Sequence, residues 1–159
     1  MKSVLLYAFV FVAFTGLISA CTSDKNDPIQ MDGTYVNQQI ILRAPSYANE
    51  FGTNEALILE LKYNSINEIV FPNNYGLRIF EETEDGWKEV QEKPTERTPT
   101  GDIIFSPEKL MPAVHIVGVY PNLQRPGQKH NLRVYVIGEM NVNGEVIKVA
   151  AYTDVTLKP

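Results

Sequence analysis

Residues 132–155 read LRVYVIGEMNVNGEVIKVAAYTDV, and this stretch decides the fold. Asn143-Gly144 is the strongest short hairpin signal in the chain, because both residues accept the positive φ angles of a type I′ turn. A two-residue turn at this point places Val142 opposite Glu145 and fixes every pair beyond them. The sequence therefore predicts a long antiparallel hairpin at its C-terminal end.

The register set by this turn gives each face of the hairpin a consistent character. The pairs on one face are nearly all apolar: Val136–Ala151, Val134–Thr153 and Leu132–Val155. The pairs on the other face join opposite charges or aromatic rings, as cross-strand neighbours favour: Glu139–Lys148, Arg133–Asp154 and Tyr135–Tyr152. A slip of one residue would move every core side chain to the solvent face, so the pattern predicts a single register.

The chain from Tyr35 onward is typical of an all-β domain. Leu57, Leu59 and Leu61 alternate with Glu60 and Lys62, which is the two-residue period of a strand with one buried face. A helical pattern is almost absent from the sequence. These features predict a packed β-structure.

A second hairpin is predicted around Asp85. A two-residue turn at residues 85–86 would set Glu82 against Glu89, a like-charge pair that costs energy. A four-residue loop, 83–86, instead pairs Ile79 with Val90 and Glu81 with Lys88. We expect the longer loop, which leaves Phe80 and Trp87 together on the face opposite Ile79 and Val90.

The N-terminal segment has the anatomy of a secretory signal. Lys2 is followed by an uncharged apolar run, and Ile18-Ser19-Ala20 directly precedes Cys21. This ending resembles the lipobox of bacterial lipoproteins, in which the cysteine after the cleavage site is lipidated. The alternative is a retained transmembrane helix, but residues 4–20 are barely long enough to span a bilayer and contain Thr15, Gly16 and Ser19.

Three regions follow from this interpretation. Residues 1–20 are a lipoprotein signal peptide, 21–34 a lipidated N-terminus and flexible tether, and 35–159 the folded domain. Lipid on Cys21 would anchor the protein to the extracytoplasmic side of a membrane in the cell envelope, either facing the periplasm or at the surface. Because Cys21 is the single cysteine of the chain, the mature domain would have no disulfide.

The folded region is similar to the bacterial immunoglobulin-like domains of exported lipoproteins whose function is unassigned. The resemblance covers roughly residues 57–138 and rests on these runs: LELKYNS (59–65), EIVF (68–71), YGLRI (75–79), DGWKEV (85–90) and RPG (125–127). Residues 93–112 depart from it, because they form a long segment rich in Pro and Thr. The resemblance implies an antiparallel β-sandwich of about seven to nine strands and implies no chemistry.

Patterns that indicate catalysis or metal binding are missing from the sequence. His115 lies in an apolar strand and His130 at the start of a strand, neither at metal-ligand spacing with another His or Cys. The acidic residues at the tip of the second hairpin lack the spacing of a calcium loop, so we expect a solvated turn. We predict no enzyme activity, no cofactor and no metal, and the net charge of −5 disfavours nucleic acid as a partner.

Four aromatic residues form the candidate binding surface: Phe80, Trp87, Tyr135 and Tyr152. Exposed, they would offer flat rings to a sugar or a protein partner. However, Ile103, Ile104 and Phe105 of the long segment could cover Phe80 and Trp87, and we expect Trp87 to be buried. The sequence thus favours a non-catalytic protein-binding or structural module of the envelope, with a carbohydrate-binding accessory protein as the alternative and a hydrolase with an unrecognised site as a third hypothesis.

Overall fold

The structure, a computed structural model, describes residues 27–29, 39–45, 51–93, 95–96, 98–108 and 114–159. The predicted signal peptide, Cys21 and the first residues of the predicted domain lie outside the described residues. In the described ranges, no helix is long and apolar enough to cross a membrane.

The described residues are mostly β-strand, which confirms the predicted all-β class. They form ten strands rather than seven to nine, because short segments such as the two-residue β2 also join the sheets, and a single helical turn, α1 (Asn73–Gly76). The strands are β1 (Ile40–Arg43), β2 (Phe51–Gly52), β3 (Leu57–Tyr63), β4 (Ile69–Phe71), β5 (Arg78–Thr83), β6 (Gly86–Val90), β7 (Ile103–Phe105), β8 (Val114–Val119), β9 (His130–Val142) and β10 (Glu145–Lys158).

These strands form two sheets that pack on each other. The smaller sheet has the order β1-β3-β8, and the larger has the order β2-β10-β9-β4-β7, with the β5–β6 hairpin joined to β9. The prediction of a purely antiparallel arrangement is wrong at one place, because β2 runs parallel to β10 and pairs Phe51 with Leu157. This two-residue strand pairs with the last part of the outer edge of β10, at Leu157 and Lys158.

The C-terminal hairpin has the predicted register. Asn143 and Gly144 have φ angles of 54° and 91°, as the turn requires. The pairs Glu139–Lys148, Arg133–Asp154 and Tyr135–Tyr152 are all present, as are the three predicted core pairs. The other edge of β9 is shared, since β5 pairs with its first half and β4 with its second half. β9 is therefore the central strand of the larger sheet.

The second hairpin also has the predicted pairs but a different turn. Ile79 pairs with Val90 and Glu81 with Lys88, as expected. The predicted four-residue loop is wrong, because the ladder continues to a Thr83–Gly86 pair. The Thr83 hydroxyl donates to the Gly86 carbonyl over 2.6 Å and closes a shorter turn.

One hydrophobic core lies between the two sheets. Three strands supply most of it: Leu57, Leu59 and Leu61 from β3, Leu132, Val134, Val136 and Met140 from β9, and Val149, Ala151, Val155 and Leu157 from β10. Gly138 of β9 faces Ile69 and Phe71, and a Cβ atom there would lie 2.9 Å from Ile69 Cγ2 and 2.9 Å from Phe71 Cδ1. Glycine at this position therefore lets the β4 side chains pack directly against the β9 backbone.

We predict that Gly138→Ala lowers the free energy of unfolding by about 1–3 kcal/mol, because the added methyl group overpacks the core. The matched control is Gly118→Ala in β8, where an added Cβ meets no atom within 4 Å. This control should be neutral or slightly stabilising. Urea denaturation followed by circular dichroism measures both, and equal midpoints for the two variants would contradict this description of the core.

Candidate functional site

The four predicted surface aromatics share the outer face of the larger sheet. Phe80 and Tyr135 meet edge to face with ring centres 5.7 Å apart, and the rings of Tyr135 and Tyr152 are 5.2 Å apart. They do not form an exposed platform. Phe80 and Tyr135 are buried, Trp87 is half-buried rather than buried as predicted, and of the four only Tyr152 is exposed.

The cover over these rings comes from Asp27-Pro28-Ile29. Ile29 is only 6% exposed and packs with Phe80 and Tyr135 in a small cluster of its own. The suggested cover by residues 103–105 is wrong. That segment forms β7 beside β4, where the Phe105 ring stacks on His115 with the ring centres 4.1 Å apart.

Arg133 lies at the centre of the same face and is 8% exposed. Its guanidinium carbon is 4.9 Å from the centre of the Trp87 ring and 4.4 Å from that of Tyr152. Its Nε and Nη2 donate to the two carboxylate oxygens of Asp154 at 2.7 and 2.9 Å. A bidentate pair of this kind fixes the guanidinium plane and holds it against both aromatic rings.

The Asp27 carboxylate closes the network from the opposite side. It accepts hydrogen bonds from the Ile29 amide over 3.0 Å and from the Tyr135 hydroxyl, and it lies 3.9 Å from Nη1 of Arg133. Burial raises the pKa of the Tyr135 hydroxyl well above its usual value, and the Asp27 charge raises it further. Tyr135 is thus held neutral as a hydrogen-bond donor to this carboxylate.

The predicted flexible tether, residues 21–34, includes a segment that contacts the domain. Residues 27–29 lie against the domain, and residues 22–26 separate Cys21 from Asp27. A chain extends at most about 3.5 Å per residue, so the first docked residue is within roughly 20 Å of Cys21. We did not identify Asp27 and Ile29 as site residues from the sequence, because a short polar stretch carries no hydrophobic period.

Both histidines make structural contacts. The ring nitrogens of His130 face the Glu81 carboxylate at 2.6 Å and the Arg125 carbonyl oxygen at 2.9 Å. His115 stacks on Phe105 between β3 and β7. In the described part of the chain, no group of three or more His, Cys, Asp or Glu side chains is placed to hold a metal ion.

A cavity of about 430 Å³ lies beside the half-buried indole of Trp87. Its polar walls include Glu82, Asn131 and Asp154. Asn131 donates to Glu82 over 3.0 Å and accepts from the Thr156 hydroxyl over 3.1 Å. The arrangement offers hydrogen-bonding groups beside one aromatic ring, although Arg133 already occupies one face of that ring.

No protein-family profile matches the chain, and no curated protein matches its sequence.

We predict that Ile29→Ala destabilises the protein by about 2 kcal/mol, because it exposes apolar surface in the cluster with Phe80 and Tyr135. Trp87, the single tryptophan, should report the same change as a red shift of its fluorescence. Ile66→Ala is the control, since Ile66 is 86% exposed. If the Ile29 variant unfolds at the same urea concentration as the control, residues 27–29 do not stabilise this face.

Proposed function

We propose that this chain is an exported lipoprotein, anchored through lipid on Cys21, whose immunoglobulin-like sandwich acts without catalysis. Its role is to bind a protein partner in the cell envelope or to serve there as a structural module. The lipobox-like sequence supports the anchor. Two packed sheets with a long late hairpin support the immunoglobulin-like assignment, although many functions share that architecture.

The observation that carries the proposal is the docking of Asp27-Pro28-Ile29. It covers part of the outer face of the larger sheet with the chain's own residues, and it supports placing the proposed anchor on that side of the domain. The opposite side is the outer face of β1-β3-β8, where Ile41 and Ile116 are 43% and 56% exposed. We infer that this face points away from the proposed anchor and is available to a partner.

The composition of this face suits protein recognition. Arg43, Glu60 and Ile116 lie side by side across the three strands, and Arg43 bonds Glu60 at 2.8 Å. Exposed aliphatic side chains rimmed by charged ones are a common feature of protein-binding surfaces. The contacts of His130 support a non-catalytic role, because both of its ring nitrogens face oxygen atoms within hydrogen-bond distance, and a general base needs a nitrogen free to take a proton.

The cavity beside Trp87 favours carbohydrate binding as a second candidate function. Its carboxylates and amide are suited to sugar hydroxyls. Against this role, Phe80 and Tyr135 are unavailable under Ile29, and Arg133 stacks on both remaining rings. Protein recognition therefore has the stronger support.

The anchor makes a direct prediction. Mass spectrometry of membrane-purified protein should find Cys21 as the N-terminal residue with acyl chains attached, and Cys21→Ala should release the protein from washed membranes. Cleavage at another residue, or an unmodified Cys21, would refute the lipoprotein assignment.

A second prediction concerns the proposed protein-binding face, the outer face of β1-β3-β8. A partner cross-linked to the native protein in its envelope should be lost with Ile116→Glu, since a carboxylate in an apolar contact is costly to desolvate. Val146→Glu is the control, because Val146 is 60% exposed and lies near the Asn143-Gly144 turn of the larger sheet. Equal retention of the partner by both variants would show that this face does not carry the contact.

A further inference from the structure

A separate cavity of about 270 Å³ lies between the β5–β6 hairpin and the segment that leads into β9. It is on the side of the hairpin that faces the core, beyond the Ile79–Val90 pair. Three cationic side chains line it, those of Lys88, Arg125 and Lys129, together with the amides of Gln124 and Gln128. This concentration of positive charge stands out in a chain whose net charge is −5.

The cations at this cavity are not neutralised by ion pairs among the residues that the structure describes. Within the described residues, none of Lys88, Arg125 and Lys129 is in an ion pair. Glu81 is the single acid among the lining residues, and it already bonds His130. The other ring nitrogen of His130 faces the Arg125 carbonyl oxygen at 2.9 Å, so the ring lies between this acid and the loop before β9.

The walls of the cavity are held in place before any ligand arrives. The Arg125 carbonyl accepts from the buried His130 ring, and the Gly127 amide donates to the Thr53 hydroxyl over 3.0 Å. Lys88 is fixed in the ladder opposite Glu81. Because these contacts hold the backbone around the cavity, the backbone loses little conformational entropy when a ligand binds.

A neighbouring cavity of about 220 Å³ shares Glu81, Lys88 and Gln124 with the first. Its other walls combine the amide residues Gln91 and Asn122 with the apolar Val90 and Leu123, and with Glu89, whose carboxylate is paired with Arg78 at 2.8 Å. The first cavity thus offers cationic side chains, and the adjoining one offers amide groups for hydrogen bonds.

We propose that this groove binds an oxyanion carried on a small hydroxylated body, with the phosphate, sulfate or carboxylate group between Lys88, Arg125 and Lys129. The amides of the adjoining cavity would bond the hydroxyl groups. Such a group belongs either to a soluble acidic sugar or to the headgroup of an anionic lipid. The site goes beyond the proposed function and does not depend on it, because it uses neither Cys21 nor the Ile116 face.

Titration calorimetry with glucose 6-phosphate, glucuronate and neutral glucose tests the soluble source. Sedimentation with vesicles, with and without phosphatidylglycerol, tests the lipid source. We expect the anionic form of at least one source to bind, its neutral counterpart to bind at least about tenfold more weakly, and added salt to weaken the binding.

Lys129→Glu should lower the affinity for that ligand at least about tenfold. The matched control is Lys62→Glu, which makes the same charge change at an exposed site on the smaller sheet and should leave binding unchanged. Ile116→Glu should also leave it unchanged, which separates this site from the protein-binding face. Failure of every anionic probe to bind, or equal losses in the Lys129 and Lys62 variants, would overturn the proposal.

Discussion

The register of the β9–β10 ladder is the constraint on which the rest of this structure depends. Asn143 and Gly144 set it, and successive residues of β9 then point to opposite faces. The same choice therefore sends Leu132, Val134 and Val136 into the core and places Arg133 and Tyr135 on the outer face. Every other strand of the larger sheet attaches to this ribbon, either directly or through a neighbour.

The outer face of that ribbon behaves as a second, smaller core. Arg133 contributes a charge that is paired with Asp154 and stacked on two rings, and residues 27–29 complete its burial. Removing one partner from a buried ion pair is costly, so the segment is held by charge as well as by apolar contact. A segment held in this way keeps the first docked residue within roughly 20 Å of Cys21, where we propose the anchor.

The parts of the fold that could be predicted are set by residues close together in the sequence, whereas the parts that could not are set by contacts between distant residues. The register of the C-terminal hairpin followed from its turn signal, and that of the second hairpin from opposite charges on neighbouring strands, Glu81 and Lys88. The length of the second turn did not, because it depends on a Thr83 hydroxyl bond. The contact between Asp27 and Tyr135 joins residues 108 positions apart, and no periodicity in the polar N-terminal stretch indicates it. The cationic groove was also missed, because Lys88, Arg125 and Lys129 meet only when the hairpin packs beside the segment before β9.

The docking of Ile29 is the central claim, since it converts an aromatic surface into a covered one. Isotope-edited NMR on purified protein carrying Cys21→Ser tests it most directly. The structure predicts nuclear Overhauser contacts from the Ile29 methyl groups to the ring protons of Phe80 and Tyr135, with ring-current shifts of those methyls. Random-coil methyl shifts for Ile29, without any contact to either ring, would contradict it.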